Sequence, residues 1–154
     1  MAFHIVLVEP EIPANTGNIS RTCAGTGTHL HLVRPLGFSI EDRDLKRAGL
    51  DYWPAVKLHV HDSFDEALEE VEPERIFLAT TKGSRYYTDF QYRDGDAFVF
   101  GKETAGLPDS ILSRFPERRI RIPMNGHIRS LNLSNSAAIV LFEALRQTSF
   151  PEVN

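Results

Sequence analysis

The sequence is poor in cysteine and has no long apolar run, and each shortage excludes a class of protein. Cys23 is the single cysteine in 154 residues, so an intramolecular disulfide is impossible and a zinc finger is excluded. The longest apolar runs, such as residues 5–8 and 137–142, are far shorter than a membrane-spanning helix. The first residues lack the basic stretch and the cleavage site of a signal peptide. We therefore expect a cytoplasmic protein.

Length and composition are those of an ordinary globular domain. The hydrophobic share is 42% and the charged share is 25%, which excludes disordered and collagen-like chains. A chain of this length predicts a single domain over residues 1–154.

The charge is unevenly distributed along the chain. Lysine and arginine number 17 against 21 acids, a net charge of −4. Most of the acidic excess falls between residues 62 and 75, whereas a group of arginines comes late (Arg114, Arg118, Arg119, Arg121 and Arg129). A basic face on an acidic protein is compatible with RNA as a partner, and ordinary solvated surface charge is the alternative.

Short apolar runs alternate with amphipathic stretches. The runs predict strands over residues 3–8, 30–33, 56–60, 75–80, 97–100 and 119–122. Helices are predicted from Asn15, over 39–47, from Asp62 or Ser63, from Pro108 to Phe115, and over 134–147. This alternation predicts an α/β domain with a mostly parallel sheet and helices on both of its faces.

Three polar loops are candidates for the functional site, because ligands of such sheets gather at the carboxyl ends of the strands. The first loop covers residues 9–18, with Asn15 or Thr16 as a helix cap. Asn18 and Arg21 follow on one helical face, where an arginine beside free N–H groups suits an anion such as phosphate. Plain helix capping plus a surface arginine is the alternative.

The second and third loops add backbone flexibility and polar side chains. Gly101 and Gly106 at the end of a strand permit positive φ or a close backbone approach. Glu103 between them either accepts a hydrogen bond from a hydroxyl or amine, or caps the next helix. The third loop, residues 123–135, is crowded with serine and asparagine, which indicates a polar pocket or a well-formed turn.

Two pairs of histidines stand out from the remaining sequence. His29 with His31, and His59 with His61, each share a strand face through their i, i+2 spacing. Such a pair can hold a metal, but no third ligand is evident, so half-buried strand histidines are favoured and no metal is expected.

Taken in order, the three loops resemble the three signature motifs of the SPOUT methyltransferases. The matching stretches are Asn15-x-Gly17-Asn18-x-x-Arg21, Gly101-x-Glu103-x-x-Gly106-Leu107, and Ile122-Pro123-Met124 with Ser130-Leu131-Asn132-x-Ser134. The resemblance extends over the whole chain. It is strongest to the short members, without an added RNA-binding domain, that methylate the ribose of the tRNA wobble nucleotide.

The resemblance implies a fold and a set of site residues. The SPOUT fold threads its C-terminal segment through a trefoil knot, which forms the pocket for S-adenosyl-L-methionine. By resemblance, the cofactor-binding residues are Ala79, Thr80, Gly101, Ile122, Met124, Ser130 and Leu131. The catalytic residues are Arg21, Asn15, Glu103 and Asn132. Family members are homodimers, and Arg21 of one subunit is expected to face the cofactor of the other.

The implied activity is methyl transfer from S-adenosyl-L-methionine to the 2′-hydroxyl of cytidine or uridine 34 in tRNA. Asn18, Arg21, Lys82 and Arg129 are the expected RNA contacts, with Arg85 a further basic candidate; solvated charge is the alternative for Lys82, Arg85 and Arg129. The rival functions are methylation of another tRNA or rRNA position, and a nucleotide- or RNA-binding module without catalysis. Because a guanidinium is effectively always charged, we expect Arg21 to position phosphate and ribose rather than act as a base.

Overall fold

The fold is taken from a computed structural model that describes residues 2–40, 43, 47, 53–72, 75–83 and 85–154. Within these residues the strands are β1 His4–Val8, β2 His29–Val33, β3 Lys57–His61, β4 Ile76–Ala79, β5 Arg85–Tyr86, β6 Ala97–Phe100 and β7 Arg119–Arg121. The helices are α1 Pro13–Thr26, α2 Phe64–Glu70, α3 Asp109–Leu112 and α4 Leu133–Gln147. Single 3₁₀ turns cover Trp53–Ala55, Tyr87–Asp89 and Pro116–Arg118.

The strands form one parallel sheet in the order β3-β2-β1-β6-β4-β7-β5. Every pairing between them is parallel, so all of their carboxyl ends lie at the same edge of the sheet. The predicted parallel α/β sheet is thereby confirmed.

Helices cover both faces of the sheet, as predicted. Alternate residues of each strand point to opposite faces, and the core is accordingly divided in two. One part packs Ile5 and Leu7 against α1 and α4. The other packs Val6 and Val8 against α2 and α3. Cys23 is buried among the apolar residues of the first part, in the packing role that its position within a helix predicts.

Several predicted boundaries were wrong. Helix α1 begins at Pro13, so Asn15 and Thr16 lie buried inside it rather than capping it. The sequence predicts that Gly25 and Gly27 break this helix; it continues through Gly25 but does stop at its C-cap Gly27, which adopts a left-handed φ of 68°. Helix α3 ends at Leu112 instead of reaching Phe115, and residues before a proline such as Pro116 disfavour helical geometry.

Two further differences concern elements rather than boundaries. Strand β5 has only two residues and was not predicted. The helix predicted over 39–47 lies mostly outside the described residues. In the part of the chain that the structure describes, no helix has the length and apolar character needed to span a bilayer.

The strand histidines form a hydrogen-bonded cluster across β1, β2 and β3. His31 is fully buried, and its ring lies between His4, with a nitrogen–nitrogen distance of 2.9 Å, and His61, also at 2.9 Å. His29 and His59 are joined at 3.0 Å. Among the described residues, no group of three or more histidine, cysteine or acidic side chains is placed to hold a metal. Burial and neighbouring imidazoles lower the pKa of His31 to about 2 and that of His4 to about 4.

We expect the histidine cluster to make the protein sensitive to mild acid. Because the folded-state pKa of His31 lies below its ordinary value of 6.5, the unfolded chain binds more protons in acid. The contribution of His31 to the free energy of unfolding is therefore fully present above about pH 6.5. It is lost progressively as the pH falls, and the loss for His31 alone is roughly 2 kcal/mol at about pH 5. Urea denaturation at about pH 7.5 and about pH 5 measures this difference.

Two variants separate the cluster from other acid-sensitive groups. His31→Gln removes the buried imidazole and is expected to flatten the pH dependence of the free energy of unfolding, whatever it does to stability at neutral pH. His127→Gln changes an exposed histidine outside the cluster and is expected to leave that dependence unchanged. An unaltered pH dependence in His31→Gln contradicts the prediction.

Candidate active site

The three polar loops meet around one cleft at the carboxyl ends of β4, β6 and β7. The cleft has a volume of about 1050 Å³. Its walls include every residue that the motif resemblance assigns to the cofactor: Ala79, Thr80, Gly101, Ile122, Met124, Ser130 and Leu131. Asn15, Glu103 and Asn132 also line it, as do Lys82 and Arg129 at its polar rim. Residues from opposite ends of the chain are thus brought to a single site.

Asn18 and Arg21 lie elsewhere. Both are exposed on α1, and neither belongs to the described residues that line the cleft. Only Asn15, from the first turns of the same helix, reaches the wall. The structure of one chain therefore does not bring Arg21 to the cleft of that same chain.

Glu103 holds the start of α1. Its Oε1 accepts a hydrogen bond from the backbone N–H of Glu11 at 2.8 Å, and its Oε2 accepts one from the N–H of Ile12 at 2.9 Å. The Asn15 amide donates to the same Oε2 at 3.1 Å. A carboxylate is stabilised at the positive end of a helix, and Glu103 holds the two residues that lead into α1, whereas the prediction had placed Asn15 or Thr16 at the helix start as a cap.

Asn132 connects the third loop to the first. Its Nδ2 donates to Asn15 Oδ1 at 3.1 Å, while its Oδ1 accepts from the backbone N–H of Ser134 at 2.9 Å and so caps α4. Glu103, Asn15 and Asn132 therefore form a continuous chain of hydrogen bonds. This chain fixes the three loops relative to one another.

The second loop is a tight, closed turn. A Cβ atom on Gly101 would lie 2.0 Å from the carbonyl carbon of Gly106, a distance that no side chain tolerates. Gly106 has a φ of +70°, and its N–H donates to the Lys102 carbonyl at 2.8 Å. Gly106 thus provides the positive φ and Gly101 the close backbone approach that the sequence predicts. The close approach is between two segments of this protein's own backbone.

Two residues of this site were not identified from the sequence. Glu11 Oε1 accepts hydrogen bonds from the backbone N–H of Thr104 at 3.0 Å and from its hydroxyl at 2.7 Å. These bonds lower the pKa of the Glu11 carboxyl. Together with the bonds that Glu103 accepts from the first loop, they form a reciprocal clamp. The only local signal is an acid placed just after the strand-ending proline at position 10.

The parallel sheet and the three motif loops that meet around one cleft are the arrangement expected of a SPOUT methyltransferase. The SpoU rRNA Methylase family matches residues 2–142, and the chain belongs to that family. The resemblance of its motifs to SPOUT methyltransferases is confirmed.

Individual relatives agree with this assignment. A protein from Listeria monocytogenes is 60% identical over 153 residues, which cover 97% of this chain and 90% of that one. The tRNA (cytidine(34)-2′-O)-methyltransferase of Methylovorus glucosotrophus is 55% identical over 149 residues, covering 96% of this chain and 97% of that one.

Solved structures are similar over nearly the whole chain. One, from work on the 2-OH methylation of C/U34 on tRNA, has a TM-score of 0.91 and 46% identity, and the match covers 96% of this chain and 97% of that one. AviRb of Streptomyces viridochromogenes, a SpoU methyltransferase solved with AdoMet, has a TM-score of 0.82 and 26% identity. That match covers 96% of this chain and 61% of that one.

Proposed function

We propose that this protein transfers a methyl group from S-adenosyl-L-methionine to the ribose 2′-hydroxyl of nucleotide 34 of tRNA. The observation that carries the proposal is the chain of hydrogen bonds from Glu103 through Asn15 to Asn132, which joins the three motif loops around one cleft. Relatives that are more than half identical over at least 90% of their length, one of them a tRNA (cytidine(34)-2′-O)-methyltransferase, support the choice of substrate.

The cleft fits the cofactor in size and in chemistry. Its volume of about 1050 Å³ leaves room for a nucleoside-sized ligand together with part of a substrate, since small-molecule sites occupy about 300–1,000 Å³. Backbone groups of the tight turn at Gly101 and of the segment from Ile122 to Leu131 are available for an adenine and a ribose. The bound cofactor supplies an electrophilic methyl group on a sulfonium.

The protein's own residues act by positioning. Glu103, Asn15 and Asn132 hold the loops that enclose the cofactor, and their side chains bond mainly to each other and to backbone groups. Methyl transfer needs the hydroxyl oxygen in line with the sulfonium, and fixed geometry supplies much of the rate. A guanidinium presents parallel N–H donors, so Arg21 is suited to holding phosphate and ribose.

The clamp between Glu11 and Thr104 is expected to support cofactor binding. Glu11→Ala removes the acceptor that fixes the backbone of Thr104 at the cleft wall. We expect the Kd for S-adenosyl-L-methionine to rise roughly fivefold to tenfold, as for the loss of one or two hydrogen bonds. Isothermal titration calorimetry measures this change. Glu69→Ala, at an exposed acid of α2, is the matched control, and equal affinities in the two variants contradict the prediction.

The working unit in this proposal is a cytoplasmic homodimer with a knotted C-terminal segment. Arg21 lies on the exposed side of α1, outside its own cleft, so a second copy is needed to bring it to a cofactor. Phe142, a large apolar side chain of α4 that is 46% exposed, is suited to burial against that copy. Light scattering after size-exclusion chromatography tests the dimer.

The test of function is a methyl-transfer assay on defined tRNA transcripts. The purified protein is incubated with labelled S-adenosyl-L-methionine and an unmodified tRNA, and the methylated nucleotide is mapped by nuclease digestion and mass spectrometry. The matched control is the same tRNA with a 2′-deoxy nucleotide at position 34, which should accept no methyl group. Methylation elsewhere in tRNA or in rRNA favours the first rival function, and binding of cofactor or RNA without transfer favours the second.

A further inference from the structure

The outermost strand of the sheet presents an exposed aromatic ring beside the cleft. Strand β5 ends the sheet and pairs in parallel with β7, so that Tyr86 is the register partner of Arg121. Tyr86 is 41% exposed, whereas rings such as Phe77 and Phe98 lie in the core. A large ring held on a sheet edge contributes little to the core, and its position calls for another explanation.

Arg121 connects this edge to the cleft. Its guanidinium lies 4.9 Å from the centroid of the Tyr86 ring, and the residue also lines the cleft. Arg121 thus lies in the cleft wall, and Tyr86 lies directly beside that wall.

A second cation–aromatic pair lies alongside the first. The guanidinium of Arg85 is 4.1 Å from the centroid of Phe90, and its Nη2 donates to the carbonyl of Asp89 at 3.2 Å. The Asp89 carboxylate accepts from the backbone N–H of Tyr86 at 2.8 Å, so part of its charge is engaged locally. The edge thus combines fixed guanidinium groups with an accessible ring, and Lys82 adds positive charge at the cleft.

This combination matches the chemistry of unpaired RNA. Single-stranded nucleic acids are bound by aromatic rings on which bases stack and by basic side chains that follow the phosphates. Arginine planes stack on bases in the same way. A protein partner would require a wider apolar surface with charge depleted at its centre, which this edge does not present in its described residues.

We propose that Tyr86 and Arg121, supported by Arg85, form a stacking platform for an unpaired base next to the nucleotide that is methylated. This inference rests on the proposed function and extends it. The base of a neighbouring loop nucleotide stacks on the Tyr86 ring, and Arg121 bonds to the phosphate that connects that nucleotide to the target. The platform selects a target within a single-stranded loop rather than within a duplex.

The test compares Tyr86→Ala with Tyr86→Phe, which keeps the ring. For Tyr86→Ala we expect the KM and Kd for an anticodon stem-loop RNA to rise about 5- to 50-fold, as for the loss of one stacked base. The affinity for S-adenosyl-L-methionine should stay within about twofold of wild type, because the ring is not part of the cleft wall. Tyr86→Phe should match wild type in both. Fluorescence anisotropy gives Kd for RNA, and initial rates give KM.

An abasic substrate identifies the base that is stacked. Stem-loops lacking the base on one side or the other of nucleotide 34 are compared in wild type and in Tyr86→Ala. For one of the two abasic stem-loops, the Kd for wild type should equal the Kd of Tyr86→Ala for the intact RNA. The Kd of Tyr86→Ala for that abasic stem-loop should rise no further, because two changes that remove the same direct contact are not additive. An unchanged Kd for RNA in Tyr86→Ala, or losses that add for both abasic substrates, overturns the platform.

The outcomes also separate this inference from the proposed function. If wild type methylates nucleotide 34 and Tyr86→Ala is unaffected, the platform is wrong and the function stands. If wild type transfers no methyl group to nucleotide 34 but Tyr86→Ala weakens RNA binding while Tyr86→Phe does not, the function is wrong and the platform stands.

Discussion

Gly101→Ala is expected to abolish binding of S-adenosyl-L-methionine. The added Cβ would lie 2.0 Å from the Gly106 carbonyl carbon and 2.2 Å from the Leu107 nitrogen, and both of these are backbone atoms that cannot rotate aside. The turn from Gly101 to Leu107 must open, and this turn forms a wall of the cleft. We expect the Kd for the cofactor to rise at least about 100-fold, because the displaced backbone no longer presents its groups at the required positions.

Gly25→Ala is the matched control for this substitution. Gly25 lies inside α1, and a Cβ there meets nothing within 4 Å. Alanine in the helix should leave cofactor binding unchanged and stabilise the protein by about 0.5–1 kcal/mol. Calorimetric titration gives the Kd, and near-ultraviolet circular dichroism checks that the fold of each variant is intact. A folded Gly101→Ala protein that binds the cofactor normally would show that the turn does not shape the site.

The strands were the most predictable part of the fold. Runs such as 3–8 and 97–100 are apolar and β-rich, because strands buried on both faces of a parallel sheet carry little else. Strand β5 was missed because two residues carry no periodic signal, and its existence depends on pairing with β7. Sequence reasoning thus finds elements that are defined by their own residues and misses those defined by a distant partner.

The start of α1 and the site show the same limit. The predicted cap, Asn15, is a good capping residue, but the carboxylate that holds the residues leading into the helix comes from Glu103, which is 88 residues from Asn15. The clamp between Glu11 and Thr104 spans 93 residues, and neither side chain forms a local pattern. The meeting of the three loops was predictable, since the ends of parallel strands share one edge and the motifs resemble a known family. The individual hydrogen bonds between the side chains of these loops were not predictable.

Arg21→Ala is expected to lower kcat roughly 100-fold while cofactor binding in isolation stays within about twofold, since Arg21 is proposed to hold the phosphate and ribose of the RNA rather than the cofactor. Arg21→Lys, which keeps the charge but loses the two-pronged donor, should restore only part of the rate, with the pH dependence of wild type. If Arg21→Lys is instead active at neutral pH and its rate climbs steeply at high pH, Arg21 acts as a base and the positioning role is wrong.

Mixed dimers test whether Arg21 acts across the subunit interface. Arg21→Ala chains lack the arginine but keep the cleft, and Gly101→Ala chains lack the cleft but keep the arginine. In a mixed dimer, a site with the cleft of one chain and the arginine of the other is complete only if Arg21 acts in trans. Random reassociation of equal amounts should then restore about a quarter of the wild-type rate, because half of the dimers are mixed and each has one complete site.

Leu131→Arg, a second change in the cleft wall, replaces Gly101→Ala if that variant does not fold. Mixtures no more active than the separate variants place Arg21 in its own subunit's site and contradict the shared-site mechanism.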